Sequence, residues 1–300
     1  MALPVDYHHV SPLTFGAMKP DTCTFENARA IVLPVPFERT TSYLAGTRSA
    51  PREILLASGQ MELWDEETET DAHDLRVFTL PEMELPFGEM RGALKEIRRV
   101  VAELAVSEKF LAILGGEHSI TPPIVEALAG HYPGLTVLQI DAHADLRDEY
   151  LGNRFSHASA MRRVLDHAPV TQVGIRSLSR EEAEAVPSLH TRIFYDWNMR
   201  QDPRWIDRVV DGLRDPLYVT IDCDGLDPAV MPAVGTPEPG GLSWAELLSL
   251  LCAVMSRRRV VGCDIVELCP IPGVVAPNFL CARLLYKVLT YRLANVTPSA

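Results

Sequence analysis

Leu135-Thr-Val-Leu-Gln-Ile140, running without a break into Asp141-Ala-His-Ala-Asp145, decides how this chain is read. Residues 135–140 are nearly continuous in apolar character instead of alternating, the pattern of a strand covered on both faces in a parallel sheet. The residues that follow place two carboxylates and an imidazole at alternate positions. On extended backbone Asp141, His143 and Asp145 therefore share one face and can converge on one point. In a parallel α/β sheet, ligands bind beyond the carboxyl ends of strands. The segment predicts a fold and, at its own end, a site.

The same arrangement recurs twice. Leu111-Ala-Ile-Leu114 ends in Gly115-Gly-Glu-His118, and Tyr218-Val-Thr-Ile221 ends in Asp222-Cys-Asp-Gly-Leu-Asp227. The candidate ligands are His118, Asp141, His143, Asp145, Asp222 and Asp224, four carboxylates and two imidazoles. Burying four such charges is costly unless divalent cations neutralise them. Taken singly, each motif also fits a solvated turn, a packed helix start or a calcium-type loop. Three strand ends carrying ligands in one sheet favour a shared metal site. Carboxylates and imidazoles without thiolates suit Mn²⁺ better than Zn²⁺ or copper. Shared carboxylates would hold two ions about 3.5–4 Å apart around one water, whose pKa falls to roughly 7.

Outward from these motifs, strand-like runs occur at residues 30–35, 75–80, 110–114, 135–140, 170–175, 192–195, 217–221 and 260–266. Helical stretches fall at 91–107, 122–131, 157–167, 204–212, 244–256 and 277–291. The last shows an apolar stripe through Phe279, Leu280, Ala282, Leu284, Leu285, Val288 and Leu289. Ser243, with Glu246 three residues on, forms a capping box. Strand and helix alternate along the whole length, which predicts a three-layer α/β/α architecture in a single domain, 1–300, with residues 1–28 as an N-terminal arm. The acidic stretch 60–74 reads as a solvated loop.

Composition narrows the partners. The 300 residues carry a net charge of −12, which disfavours nucleic acid and suits a small cationic molecule, though mild acidity also serves solubility alone. No C-x-x-C pair occurs among Cys23, Cys223, Cys252, Cys263, Cys269 and Cys281, so thiolate zinc sites are not expected. No apolar run is long enough to cross a bilayer, and no signal peptide is visible, so a cytoplasmic location is expected.

Gly115-Gly-Glu-His-Ser119, Asp141-Ala-His-Ala-Asp145, Gly174-Ile-Arg-Ser177, Thr220-Ile-Asp-Cys-Asp-Gly-Leu-Asp-Pro228, Gly235-Thr-Pro237 with Gly240-Gly-Leu-Ser243, and Asp264-Ile-Val-Glu-Leu-Cys-Pro270 occur in this order. Together they resemble the ureohydrolase family, which contains arginase and agmatinase, from about residue 30 to the C-terminus. The resemblance implies a mainly parallel eight-stranded sheet with two Mn²⁺ per subunit. His118, Asp141, Asp145 and Asp222 would hold one ion, and Asp141, His143, Asp222 and Asp224 the other, with Asp141 and Asp222 bridging. Glu267 corresponds to the carboxylate that orients the substrate guanidinium, His157 to a proton shuttle, and Asp145 would also steady the attacking hydroxide. Family members are generally oligomers, so a homotrimer or homohexamer is expected.

Leu146-Arg-Asp-Glu-Tyr150 stands where arginases read the amino acid end of arginine through an Asn, and Glu117 stands where many members have Asp. Both features look like agmatinase. Ala158 replaces the Gly, Ser or Thr that commonly follows the shuttle histidine. The reading is hydrolysis of agmatine to urea and putrescine, a step of polyamine biosynthesis. The alternatives are aminopropylagmatine, guanidinobutyrate, guanidinopropionate or, less favoured, arginine as substrate. A metal-dependent deacetylase is disfavoured because His8-His9 lies in the arm, and a non-catalytic binding member because every ligand is present.

Overall fold

Residues 13–19, 22–86 and 88–294 are described by a computed structural model. Much of the expected arm, including His8-His9, lies outside them.

Ten strands and nine α-helices alternate through the described residues. They run β1 (Ala30–Val35), α1 (Ala50–Ser58), β2 (Trp64–Asp65), β3 (Thr70–Asp71), β4 (Val77–Thr79), α2 (Met90–Ala105), β5 (Phe110–Gly115), α3 (Thr121–His131), β6 (Thr136–Ile140) and α4 (Ala160–Val164). There follow β7 (Val170–Ile175), α5 (Arg180–Ala185), β8 (Thr191–Tyr195), α6 (Asp196–Met199), α7 (Trp205–Gly212), β9 (Leu217–Asp222), α8 (Trp244–Arg257), β10 (Val260–Val266) and α9 (Ala276–Leu293). Eight strands form one sheet in the order β4-β1-β5-β10-β9-β6-β7-β8, and all of its pairings are parallel.

Successive residues of a strand face opposite sides, and the core divides accordingly. Val32, Ala112, Leu114, Leu138, Ile140, Val219 and Ile265 pack with α1, α7, α8 and α9 on one side. Ile31, Leu33, Leu111, Ile113, Val137 and Tyr218 pack with α2, α3 and α4 on the other. The expected α/β/α layering is the observed one. It stands because both faces of the central strands are apolar, so each must be covered.

Four local expectations need correction. The strand expected at 75–80 shortens to β4, because Asp71 caps a 3₁₀ turn over Ala72–Leu75 and Arg76 follows in a left-handed conformation (φ 52°). The helix expected at 157–167 is a 3₁₀ turn, His157–Ser159, followed by the short α4. The stretch 60–74 is not simply a solvated loop. It carries the antiparallel pair β2–β3, and within it Asp65 is fully buried with Oδ2 2.7 Å from Lys287 Nζ. The apolar stripe of α9 is in fact burial on nearly all sides, while Phe279 is exposed. Helices α1, α5 and α6 were not anticipated. Each is short, four to nine residues, and short helices leave little periodicity to detect.

Candidate metal centre

Four adjacent central strands, β5, β10, β9 and β6, deliver the candidate residues from their carboxyl ends. His118 opens the 3₁₀ turn after β5. Gly116 is required there, since a Cβ at that position would stand 1.9 Å from the Phe37 carbonyl oxygen. Asp141 follows β6, and Asp222 ends β9 and caps the next turn by accepting from Asp224 N–H. A Cβ on Gly225 would meet Asp141 N at 2.9 Å, so glycine lets these two loops approach.

His118 Nδ1 stands 3.2 Å from one oxygen each of Asp141, Asp145 and Asp222. It is buried, and none of the three is placed to form a hydrogen bond with it. Three carboxylates and an imidazole nitrogen directed at one point form a set that a cation fits. His118 Nε2 lies 2.9 Å from Thr220 Oγ1. That contact suits a proton on Nε2, so a neutral His118 would present Nδ1 to a metal. A second group forms beside the first, with His143 Nδ1 2.8 Å from Asp224 Oδ2 and 3.8 Å from Asp141 Oδ1. Ligand atoms of His118, Asp141 and Asp145 cluster within 4.8 Å of one another, as do those of Asp141, His143 and Asp224. Asp141 thus belongs to both groups. Asp222 turns Oδ2 to the first group and uses Oδ1 to accept from Asp224 N–H at 2.9 Å.

The electrostatics are those of crowded, buried charge. Burial, then the charges of Asp224 and Asp145, push Asp141 up to about 7. Asp222 is raised well above the usual carboxylate range by burial and then by Asp224 and Asp141. Burial opposes ionisation of Asp224, but the hydrogen bond and charge of His143 overcome it and hold the carboxyl at about 2. Burial likewise opposes protonation of His143, yet Asp224 raises it to about 10. His118 is raised well above its ordinary value because three carboxylates outweigh burial. Divalent cations would replace these protons with compensating charge.

Glu267 and Asp145 both adopt left-handed backbone, φ 63° and 53°, strain of a kind that concentrates at functional sites. Glu267 N–H donates to the Gly116 carbonyl at 2.8 Å, and its Oε1 accepts from His118 N–H at 2.6 Å. Burial, followed by the charge of Glu117, pushes the Glu267 carboxyl well above the ordinary range.

A cavity of about 210 Å³ opens over these groups, lined by His118, His143, Asp145, Asp222, Asp224 and Glu267. His157, Tyr150 and Arg147 form part of its wall, as do Thr41–Leu44 and Gly235–Thr236. Every residue proposed from the sequence, His157 included, therefore lines this cavity except Asp141, which lies fully buried beneath it.

Sequence reasoning missed Thr40 and the support of His157. Thr40 Oγ1 donates to Glu117 Oε1 at 2.8 Å and accepts from His157 N–H at 3.0 Å. The same oxygen lies 3.2 Å from His157 Nδ1. Glu117, fully buried, also accepts from the N–H groups of Arg39 and Thr40 at 2.7 and 2.6 Å. The available signal was position: Thr40 lies in the polar run just beyond the carboxyl end of β1.

A three-layer parallel sheet with a cluster of carboxylates and imidazoles at its strand ends defines a metallohydrolase of the α/β type. The Arginase family model matches residues 28–290, and the chain belongs to that family of ureohydrolases, hydrolases of guanidino compounds. It is 37% identical to the N(1)-aminopropylagmatine ureohydrolase of Synechocystis sp. over 276 residues, 89% of this chain and 90% of that one. Against the agmatinase of Bacillus cereus the identity is 34%, covering 83% and 86%. The crystal structure of the agmatine ureohydrolase of Thermoplasma volcanium superposes with a TM-score of 0.83 at 32% identity, covering 90% of this chain and 91% of the other.

Proposed function

We propose that this cavity hydrolyses the guanidino group of agmatine, giving urea and putrescine. The observation that carries the reading is the buried Glu267 carboxylate beside the two ligand groups. His118, Asp145 and Asp222 would hold one Mn²⁺, His143 and Asp224 the other, with Asp141 shared and Asp222 as a second bridge. Bound there, the two ions would activate water and stabilise charge that develops in the transition state.

The chain's own residues do the rest. Glu267 pairs with the cationic guanidinium and fixes its carbon over the centre. Asp145 accepts the proton released when water adds to that carbon. The carbon–nitrogen bond to the alkyl amine then breaks, and the departing nitrogen takes a proton relayed through His157. The Thr40 hydroxyl has one hydrogen, which Glu117 claims, so Thr40 acts on His157 as an acceptor. A neutral His157 then keeps its proton on Nδ1, with Nε2 free for exchange. The 37% identity to an aminopropylagmatine ureohydrolase supports a second reading, in which the substrate tail is longer by an aminopropyl group. We read the chain as one ureohydrolase domain, cytoplasmic and homo-oligomeric (trimer or hexamer).

Urea release by the manganese-loaded protein should be measured with agmatine, N1-aminopropylagmatine, 4-guanidinobutyrate and arginine. Agmatine should give the highest kcat/KM, with putrescine formed in step with urea. No urea from any of the four would sink the assignment, and a clear preference for aminopropylagmatine would select the second reading.

A further inference from the structure

Two amides lie side by side where only apolar residues are needed. Gln139 on β6 pairs in register with Gln172 on β7, and both are fully buried in the sheet. A buried amide is costly unless hydrogen-bonded, and here the bonds run in one direction. Thr191 Oγ1 on β8 shares its one hydrogen between Gln172 Oε1 at 2.9 Å and the Val170 carbonyl at 3.2 Å, with the amide the nearer acceptor. Gln172 Nε2 donates to Gln139 Oε1 at 2.6 Å and to the Ala144 carbonyl at 2.7 Å. Gln139 Nε2 donates to Asp141 Oδ2 at 2.6 Å and to the His143 carbonyl at 3.3 Å.

The direction follows from chemistry. Amide oxygen and nitrogen are alike in shape, but a backbone carbonyl only accepts. The ends of the two glutamines that face Ala144 and His143 must therefore be their NH₂ groups. Both oxygens of Asp141 are then gripped, Oδ2 by Gln139 and Oδ1 by His143 N–H at 2.6 Å. Each oxygen keeps lone-pair capacity, Oδ2 toward the His118 group and Oδ1 toward the His143 group.

We propose that Thr191, Gln172 and Gln139 form a positioning relay for the metal centre, fixing the Asp141 carboxylate so that each of its oxygens serves one cation. The relay rests on the two-metal reading above. Neutral donors suit this task, because they aim the carboxylate without cancelling the charge that binds the ions. A lysine or arginine in place of Gln139 would compete with them. Thr191, part-buried and two strands from the ligand, completes the second amide and so holds the first in one orientation.

The test is manganese titration of chelator-stripped wild type, Gln139→Met, Gln172→Met and the double variant, with free aqueous Mn²⁺ read by electron paramagnetic resonance. Thermal unfolding of the stripped proteins controls for folding. Gln139→Met should weaken binding roughly 10–100-fold, as loss of groups that orient metal ligands does, with the stripped form unfolding as wild type does. Gln172→Met should lose less, and the double variant no more than Gln139→Met alone, since the outer amide acts through the inner one. Wild-type affinity in Gln139→Met, or single losses that add, would overturn the relay while leaving the metal centre intact. Should Gln139→Met fail to fold, Gln172→Met leaves Gln139 in place and carries the test, wild-type affinity again overturning the proposal. A wild type that binds no manganese removes the centre and the relay together.

Discussion

At the scale of the residue, the site is a problem of protons as much as of metals. Without cations, Asp141 near 7, the raised Asp222 and Glu267, His118 and His143 near 10 all hold protons more tightly in the fold than in the unfolded chain. A fold that binds more protons than the unfolded chain loses stability as pH rises. Asp224, held at about 2, works in the opposite sense, but its contribution is complete once pH passes the unfolded value of about 4. The chelator-treated protein should therefore unfold at progressively lower temperature from about pH 4.5 to pH 9. Manganese should reverse that slope, because metal binding releases those protons. Melting curves at five pH values, with and without metal, check this, and a stripped protein that stabilises as pH rises would contradict it. The six candidate ligands were legible because each sits at a strand end in a short spaced motif. Thr40 was not, because its role comes from a loop that meets Glu117 and His157 only in the folded chain.

At the scale of the element, the β2–β3 pair and α9 depend on each other. Asp65 accepts from Thr68 N–H and Oγ–H at 2.9 and 2.8 Å, and its other oxygen faces Lys287. Lys287 also reaches Glu67 Oε2 at 2.8 Å. Burial alone would raise the Asp65 carboxyl, but Lys287 and Thr68 hold it below its ordinary value. Lys287→Met would strand a buried carboxylate and should cost about 3–5 kcal/mol. Adding Asp65→Asn should recover part of that loss in denaturant titrations, and a loss under 1 kcal/mol for Lys287→Met would refute the coupling. At the other extreme of exposure, Ser243 accepts from Glu246 N–H at 3.2 Å while Glu246 Oε2 accepts from Ser243 N–H at 2.8 Å. Ser243→Ala should cost about 1 kcal/mol of stability and leave KM unchanged, as urea-release assays would show. The capping box was legible because it is local chemistry. The acidic run 60–74 misled because its carboxylates count as solvated until a lysine more than 200 residues away is brought against them.

At the scale of the whole molecule, the order of strands creates the site. β9 and β10 come late in the chain, yet they insert between β5 and β6, so the three strand ends that carry candidate ligands and the one that carries Glu267 become neighbours. A cation held by the loops after β5, β6 and β9 would bind only the folded chain, and such binding adds about 2.7 kcal/mol per site at a hundredfold excess over Kd. Chelation should accordingly lower the melting temperature by on the order of 10 °C for two sites, and excess Mn²⁺ should restore it more fully than Mg²⁺ does. Calorimetry reads this directly, and a melting temperature indifferent to chelator would exclude a structural contribution from metal. Residue type and period alone determined the parallel sheet covered on both faces, its strand-end motifs and the six candidate ligands, since apolar runs, alternation and metal-binding side chains are properties of adjacent residues. The order β5-β10-β9-β6, the buried amides behind Asp141 and the Asp65–Lys287 lock were decided only by the tertiary structure. Those depend on which distant surfaces exclude water together, and no window of adjacent residues carries that information.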